Sequence, residues 1–487
     1  MVFLTVFLLL SLSAVIVTIM VRDSLRGQVE IFSARNTFLF GILLFQSVSA
    51  SISLLADDYG QVYLQSAGIT SLVFTGLLTL FLIVFLYSYS KGPWVVRWAQ
   101  RDTTTHDATD GGLLLCAFAA IGAGLLFRFV IGPIPIIGVL TQQFAAGSFA
   151  VACGLAGWAW GRRPANFAIV AAAVFVLVVC IASLLAYTFG RREVLGVLLT
   201  FVWALFYARW RYSGASLLLA RTIVFGSIGF VFLILFTAAR RGDETQRTAA
   251  EYFVAFTQVT GAEVAESAFA LTNGQQAGSN SMWLIETHPK DFPYDTLHSL
   301  GYYATQPVPR AIWEDKYEPL GRTMVQDARI ARVAEEYSVG PGIVGHIVND
   351  NPWIALPLYA VLLGLTLRFI DQRVQKCVDD PFIVVPLGAG LAQVLGMPRG
   401  ELGLFAFQLT TAIIGGWAVL RIVGPLVWWR IEPQPEGGDE DDDGDGCEDG
   451  FADAEAGEDS GHDSGHVSGH VSGRERGQSS NDLRPHA

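Results

Sequence analysis

Apolar residues fall along this chain in long unbroken blocks, neither alternating as in a half-buried strand nor recurring every three to four positions as on a surface helix. Most blocks run to about 20 residues, enough to cross a hydrocarbon layer ~30 Å thick as a helix. They lie at 2–20, 37–56, 66–89, 112–131, 134–160, 165–187, 194–208, 215–237, 353–369, 382–397 and 402–428. The pattern predicts an all-α polytopic membrane protein of eleven transmembrane helices. The blocks 194–208 and 382–397 are short for a full crossing and read as tilted or half-inserted helices. The first block has no basic stretch before it and Arg22 and Arg26 behind it, so it reads as a retained span rather than a cleaved signal.

Between the eighth and ninth blocks lies the one long polar interval. The chain therefore divides into membrane helices one to eight (1–238), a large extracytoplasmic loop (239–351), helices nine to eleven (352–431) and a tail (432–487). Composition agrees: of 487 residues 52% are hydrophobic and only 16% charged, against about a quarter charged in soluble domains. The formal charge of −12 is a property of the tail, since Glu432 onward carries 17 acidic and 3 basic residues while the first 431 hold 29 basic and 27 acidic. A near-neutral body gives no footing for nucleic acid. The tail, with its acidic run Asp439–Asp443, its glycines and the spaced His462, His466 and His470, has too few apolar residues to fold and reads as disordered. Its histidines are a solvated repeat rather than a metal site. Cysteines are absent from the large loop, which excludes a disulfide framework or a Cys-based zinc site there.

Orientation follows from the short connections, because Lys and Arg accumulate on the cytoplasmic side. With the N-terminus outside, every inside connection is basic: Arg22/Arg26/Arg35, Lys91/Arg97/Arg101, Arg162/Arg163, Arg209/Arg211 and Arg368/Arg373/Lys376. The large loop then lies outside and the tail inside. This leaves Arg128, Arg191, Arg192 and Arg399 in translocated connections, where positive charge is normally depleted.

The block interiors carry few ionisable residues, which counts against a transporter that moves charge along a path through its helices. Chemistry is thus expected in the large loop. Its first part, Thr245 to Leu271, spaces Tyr252, Phe253, Phe256, Val259 and Val264 as on one amphipathic helix lying on the membrane. A dense run follows, His288, Pro289, Pro293 and Tyr294, and then Gln306-Pro307-Val308-Pro309-Arg310-Ala311-Ile312-Trp313-Glu314-Asp315-Lys316-Tyr317-Glu318-Pro319. Prolines stiffen the backbone around Arg310, Trp313 and Lys316. Rigid cations beside an aromatic suit an anion and a sugar, since Arg pairs bidentately with phosphate and an aromatic face covers a sugar ring.

Here the residues resemble the oligosaccharide repeat-unit polymerases, the O-antigen polymerases of the Wzy type. That family has ten to fourteen spans, one large outer loop near the C-terminal third, and an I-P-R-x-x-W-x-x-K-P element. Val308 to Lys316 reproduces it except that Tyr317-Glu318-Pro319 replaces the immediate proline. Glu335-Glu336-Tyr337 through Gly345 is similar to the family's E-x-Y-x-x-x-G-x-x-G element, and Arg399-Gly400-Glu401 to its R-G-[DES] element. Gly190-Arg191-Arg192 is similar to an outer arginine turn of these polymerases and the related ligases.

The resemblance implies glycosyl transfer outside the membrane, on a partner that is a polyprenyl-diphosphate-linked oligosaccharide in the bilayer, with a flippase or a chain-length regulator as a further partner. Neither metal nor cofactor is expected. A sugar hydroxyl of one lipid-linked repeat attacks the anomeric carbon of the growing glycan, and the lipid diphosphate leaves. Fixed arginines stabilise that departing charge. The residues implied are Arg310 at the reacting centre, with Arg191, Arg399, Trp313 and Lys316 binding substrate. The hydroxyl needs a base, for which Glu336, His346 and His288 are candidates; His346 is expected at the membrane surface just before the ninth span. Two alternatives share much of this layout. A ligase would move finished glycan to another acceptor by the same chemistry, and a flippase or exporter would move lipid-linked glycan without reacting it.

Overall fold

The computed structural model of the chain describes residues 1–101, 105–134, 137–185, 191–240, 249–272, 276–310, 312–330 and 338–431. The described part is an all-α polytopic membrane protein. Its described strands are Thr105–Ala108 and Trp428–Ile431, paired antiparallel at one end of the bundle. Among the described residues nine helices are long and apolar enough to cross a membrane: Val2–Leu25, Ala34–Ala56, Ala67–Lys91, Asp110–Ile131, Leu140–Arg162, Phe167–Leu185, Ser216–Ala239, Pro352–Lys376 and Leu402–Leu426. The two short blocks are helical too. One forms Arg191–Ala208, which opens with three charged residues. The other is a broken pair, Pro381–Gly388 and Leu391–Gly396, with Pro386 unable to donate a helix hydrogen bond near the break. Residues 432–487, the expected tail, lie outside the described residues.

Burial follows what a bilayer asks of a helix bundle. Phe3, Phe7, Ile83 and Val178 are exposed, and lipid tails solvate such side chains, so packing between helices rests on small and hydroxylated residues. Ser13 and Ser47 meet at 2.8 Å between the first two helices, and Ser47 Oγ also donates to the Leu9 carbonyl at 2.7 Å.

At the end of the bundle bearing Arg35, one buried carboxylate joins three helices. Asp371 accepts the Ala34 and Arg35 backbone N–H groups at 2.7 and 3.1 Å, capping the second helix, and the Tyr89 hydroxyl at 2.8 Å. Arg35 in turn pairs with Asp23 at 2.9 Å. These charges sit at helix termini and satisfy each other, which is how buried ions are tolerated.

The opposite end differs. The second helix passes through a π-helical stretch, Leu43–Val48, and there Gln46, fully buried, donates from its side-chain amide to the Pro398 carbonyl. Gln46 lies about 18 Å along the helix from Ala34 at 1.5 Å per residue. The turn after Leu391–Gly396 is thus packed partway down the second helix rather than at its far end, as a half-inserted pair requires.

Among its described residues the large loop is mostly helical, and several of its helices are buried. Ala277–Thr287, His298–Thr305 and Gly342–Asn349 pack into the bundle, the last with every residue buried. The single amphipathic helix expected over 245–271 is instead two, Ala249–Gln258 and Gly261–Thr272. Thr260 and Glu263 supply the reason. The Glu263 carboxylate accepts the Thr260 N–H and hydroxyl at 2.8 Å each, and Thr260 Oγ1 accepts the Glu263 N–H at 3.4 Å. This is a capping box, which begins a new helix.

Candidate functional site

Three segments far apart in sequence meet at one carboxylate. Glu401, buried at the N-terminus of the last membrane helix, accepts the Leu320 N–H through Oε1 and the Gly321 N–H through Oε2, both at 3.0 Å. It thereby satisfies backbone donors at the start of the Leu320–Asp327 helix. Its Oε1 also lies 3.6 Å from His346 Nε2. Burial raises the Glu401 carboxyl to about 7, against the opposing pull of those two N–H groups and the nearby His298.

His346 is completely buried, not at a membrane surface as its sequence position suggests. Nε2 accepts the Leu402 N–H at 3.1 Å, so the ring hydrogen is on Nδ1, which donates to Ser299 Oγ at 2.7 Å. Burial pushes the imidazole down to about 3, with the positive charge of His298 in the same direction. With both nitrogens committed inside the protein, His346 joins the His298–Thr305 helix to the start of the last membrane helix. Asp350 extends the connection by accepting the Ser299 N–H at 2.7 Å, the Asn349 amide at 2.9 Å and the Tyr359 hydroxyl. Burial raises its carboxyl, and these hydrogen bonds oppose the rise.

The glycine-rich segment closes the cluster from another side. The Val339 N–H donates to the Gly321 carbonyl and the Ile343 N–H to the Pro398 carbonyl, each at 3.2 Å. Asn280 and Ser281 donate to the Gly340 and Pro341 carbonyls at 2.9 and 2.7 Å. Gly342 has φ +72°, and a Cβ there would run into Gln46, so both its backbone and its neighbour call for glycine.

Over this base runs the proline-stiffened segment. Lys316 Nζ donates to the Val308 carbonyl at 2.9 Å, so the lysine closes the segment on itself; burial and the charge of Arg310 lower its pKa. The Arg310 side chain is 44% exposed, with Nη2 3.5 Å from Glu318 Oε1 and Nη1 donating to the Glu314 carbonyl at 3.3 Å. Arg322 shares the Glu318 carboxylate at 3.7 Å. Ile312 and Trp313 project into the open.

Tyr302 shows which cations share this ground. Its hydroxyl is pushed up to about 12 by burial and by Glu401, while Gln306, Arg310 and Arg192 act in the other direction. Both arginines therefore act on the same phenol. The Arg192 guanidinium lies 4.9 Å from the Phe405 ring centre, in the first turn of the last membrane helix. Arg399, in the deep turn, directs its guanidinium toward the second helix, 5.7 Å from the Phe45 ring centre.

The structure thus joins the segments carrying Arg310, Lys316, Trp313, His346 and Arg399. Arg191 begins the Arg191–Ala208 helix, but its side chain lies outside what is described, as does Glu336. His288 stands apart in an aromatic group with Phe292 and Tyr294; burial lowers its pKa, and its Nδ1 is within 3.2 Å of the Leu284 carbonyl. Sequence reasoning passed over the structural part of Glu401, although it had marked the Arg399-Gly400-Glu401 element, and it missed Tyr302 and His298 altogether. Among the described residues no cluster of three His, Cys, Asp or Glu could hold a metal ion. No family model, curated protein or solved structure matches the chain.

Proposed function

We propose that this protein is a membrane glycosyltransferase that polymerises lipid-diphosphate-linked oligosaccharide repeats on the outer face of the cell membrane. The observation that carries the reading is the convergence on Glu401. Three of the segments that resemble the polymerase family, spread between residues 308 and 401, are tied together by one buried carboxylate and its neighbours. A half-exposed Arg310 and Arg192 acting on one phenol provide the fixed positive charge that a departing diphosphate needs.

In this reading Arg310 binds the lipid diphosphate bidentately, exchanging its long contact with Glu318 for phosphate oxygens. Arg192 adds charge near it and Trp313 offers a face to the sugar, while Arg191 and Arg399 are proposed as further contacts to the same lipid-linked substrate. His346 is a positioning residue, since both its nitrogens already hold protein groups. Glu336 is then the candidate to take the proton of the attacking hydroxyl. A flippase reading is less well supported, because the buried charges of the described spans gather at helix ends, as at Asp371 and Arg35, rather than along a path.

The test is glycan length in cells. Deleting the gene should leave single lipid-linked repeats outside the membrane and no long chains. Long chains in the deletion strain would remove the polymerase reading; repeats trapped inside would favour the flippase.

A further inference from the structure

His298 holds the segment that carries Arg310, and the way it does so depends on its charge. The imidazole is buried, with Nδ1 2.6 Å from Asp295 Oδ2 and Nε2 2.8 Å from the Glu318 backbone carbonyl. A carbonyl only accepts, and Asp295, half exposed to water, is a carboxylate that only accepts. Both ring nitrogens must therefore donate, which only the imidazolium can do. The bond to Glu318 joins the two ends of the proline-stiffened stretch, because residue 298 begins the helix that leads into it and residue 318 closes it. The carboxylate of the same Glu318 pairs with Arg310 and Arg322.

We infer that protonated His298 is a positioning residue for Arg310: its imidazolium clasps the Gln306–Pro319 stretch through the Glu318 carbonyl, and loss of the ring proton opens that clasp. The inference rests on the proposed function for the part Arg310 plays. A neutral ring has one N–H for two acceptors. The short bond to the charged Asp295 is the stronger of the two, so the hydrogen stays on Nδ1 and the Nε2 lone pair faces the Glu318 carbonyl, which repels it. Other charged or titratable groups facing the ring neighbourhood are Tyr317, whose ring meets the imidazole edge-on at 5.2 Å, and, behind the helix, His346, Glu401 and Asp350. The compensating negative charge is that of Asp295, in direct contact with the ring.

The experiment places a nitroxide on a cysteine at the exposed Ile312, in full-length protein carrying Cys447→Ser and reconstituted in lipid vesicles. Label mobility and polymer formation from the host's extracted lipid-linked repeat are read on the same samples from about pH 5 to pH 8.5, across the range where histidine changes charge. The label should be immobile at the acid end and become mobile as pH rises, with polymer yield falling in step. Asp295→Asn removes the carboxylate that favours the imidazolium, and should move the transition toward acid. His298→Phe, which keeps a ring but no donor, should leave the label mobile throughout. Mobility independent of pH in the unaltered background, or a transition that Asp295→Asn does not move, overturns the clasp even if polymer is made. A transition that behaves as expected while the vesicles make no polymer at any pH keeps the clasp and removes the polymerase reading.

Discussion

Arg310 owes its part in the account to what it lacks as much as to what it touches. Its guanidinium is 44% exposed and held by one contact at 3.5 Å and one at 3.3 Å, neither the paired fork that a planar guanidinium and a carboxylate can make. Arg310→Ala should abolish long chains while the protein still reaches the membrane, since a partly exposed loop residue seldom contributes more than ~0.5 kcal/mol to stability. Arg310→Lys should rescue poorly, because an ammonium cannot make the bidentate fork; gel length profiles beside membrane abundance check both. His346 and Glu401 respond to pH in opposite senses. His346 is pushed down to about 3, so its contribution to stability is complete above its ordinary range near 6.5 and is lost on acidification toward 3. Glu401 is raised to about 7, so its contribution is complete below its ordinary range near 4.5 and is lost as pH rises through 7. Relative to the unaltered protein, the fall in thermal stability from about pH 7 to about pH 5 should be smaller in His346→Gln and larger in Glu401→Gln. Parallel curves for all three would show that neither group is as buried as its geometry requires.

At the scale of elements, the capping box at Thr260 and the glycine at 342 each make a local rule visible. Gly342→Val adds a branched side chain at φ +72° against Gln46, so it should cost about 1–3 kcal/mol and lower the yield of folded protein; circular dichroism on heating checks it. Nine of the eleven apolar blocks were legible in the sequence as spans because a helix crossing the hydrocarbon layer needs about 20 apolar residues, and the two short blocks form helices that fall outside that class. The break in the 245–271 stretch was legible too, in Thr260-Gly261-Ala262-Glu263, but apolar spacing alone ran across it. What was hidden was depth. Nothing in the spacing of Met397 to Glu401 says that this turn reaches Gln46, or that the loop helices Ala277–Thr287 and Gly342–Asn349 are buried, because the partners lie from about sixty to more than three hundred residues away. The importance of Glu401 follows from depth: beside water a carboxylate at that position would be a solvated cap, while in the interior it becomes an obligatory junction.

For the whole molecule, the proposed site and the basic helix connections at Arg35, Lys91, Arg162 and Arg368 lie at opposite ends of the bundle. The proposed orientation puts the former outside. A cysteine introduced at the exposed Asp58 should be labelled from outside intact cells, whereas one at Gly161, buried against Ala208, should be labelled only after the membrane is breached and the protein opened by denaturant. Labelling of Gly161 in intact cells would invert the topology. The most direct test of the central claim is chemical: purified protein in vesicles, given only the host's lipid-linked repeat, with products separated by size. A ladder of glycan lengths with release of lipid diphosphate is expected, and no ladder from Arg310→Ala folded to the same extent. A ladder of equal length and rate from Arg310→Ala, or none from the unaltered protein with intact donor present, would contradict the claim.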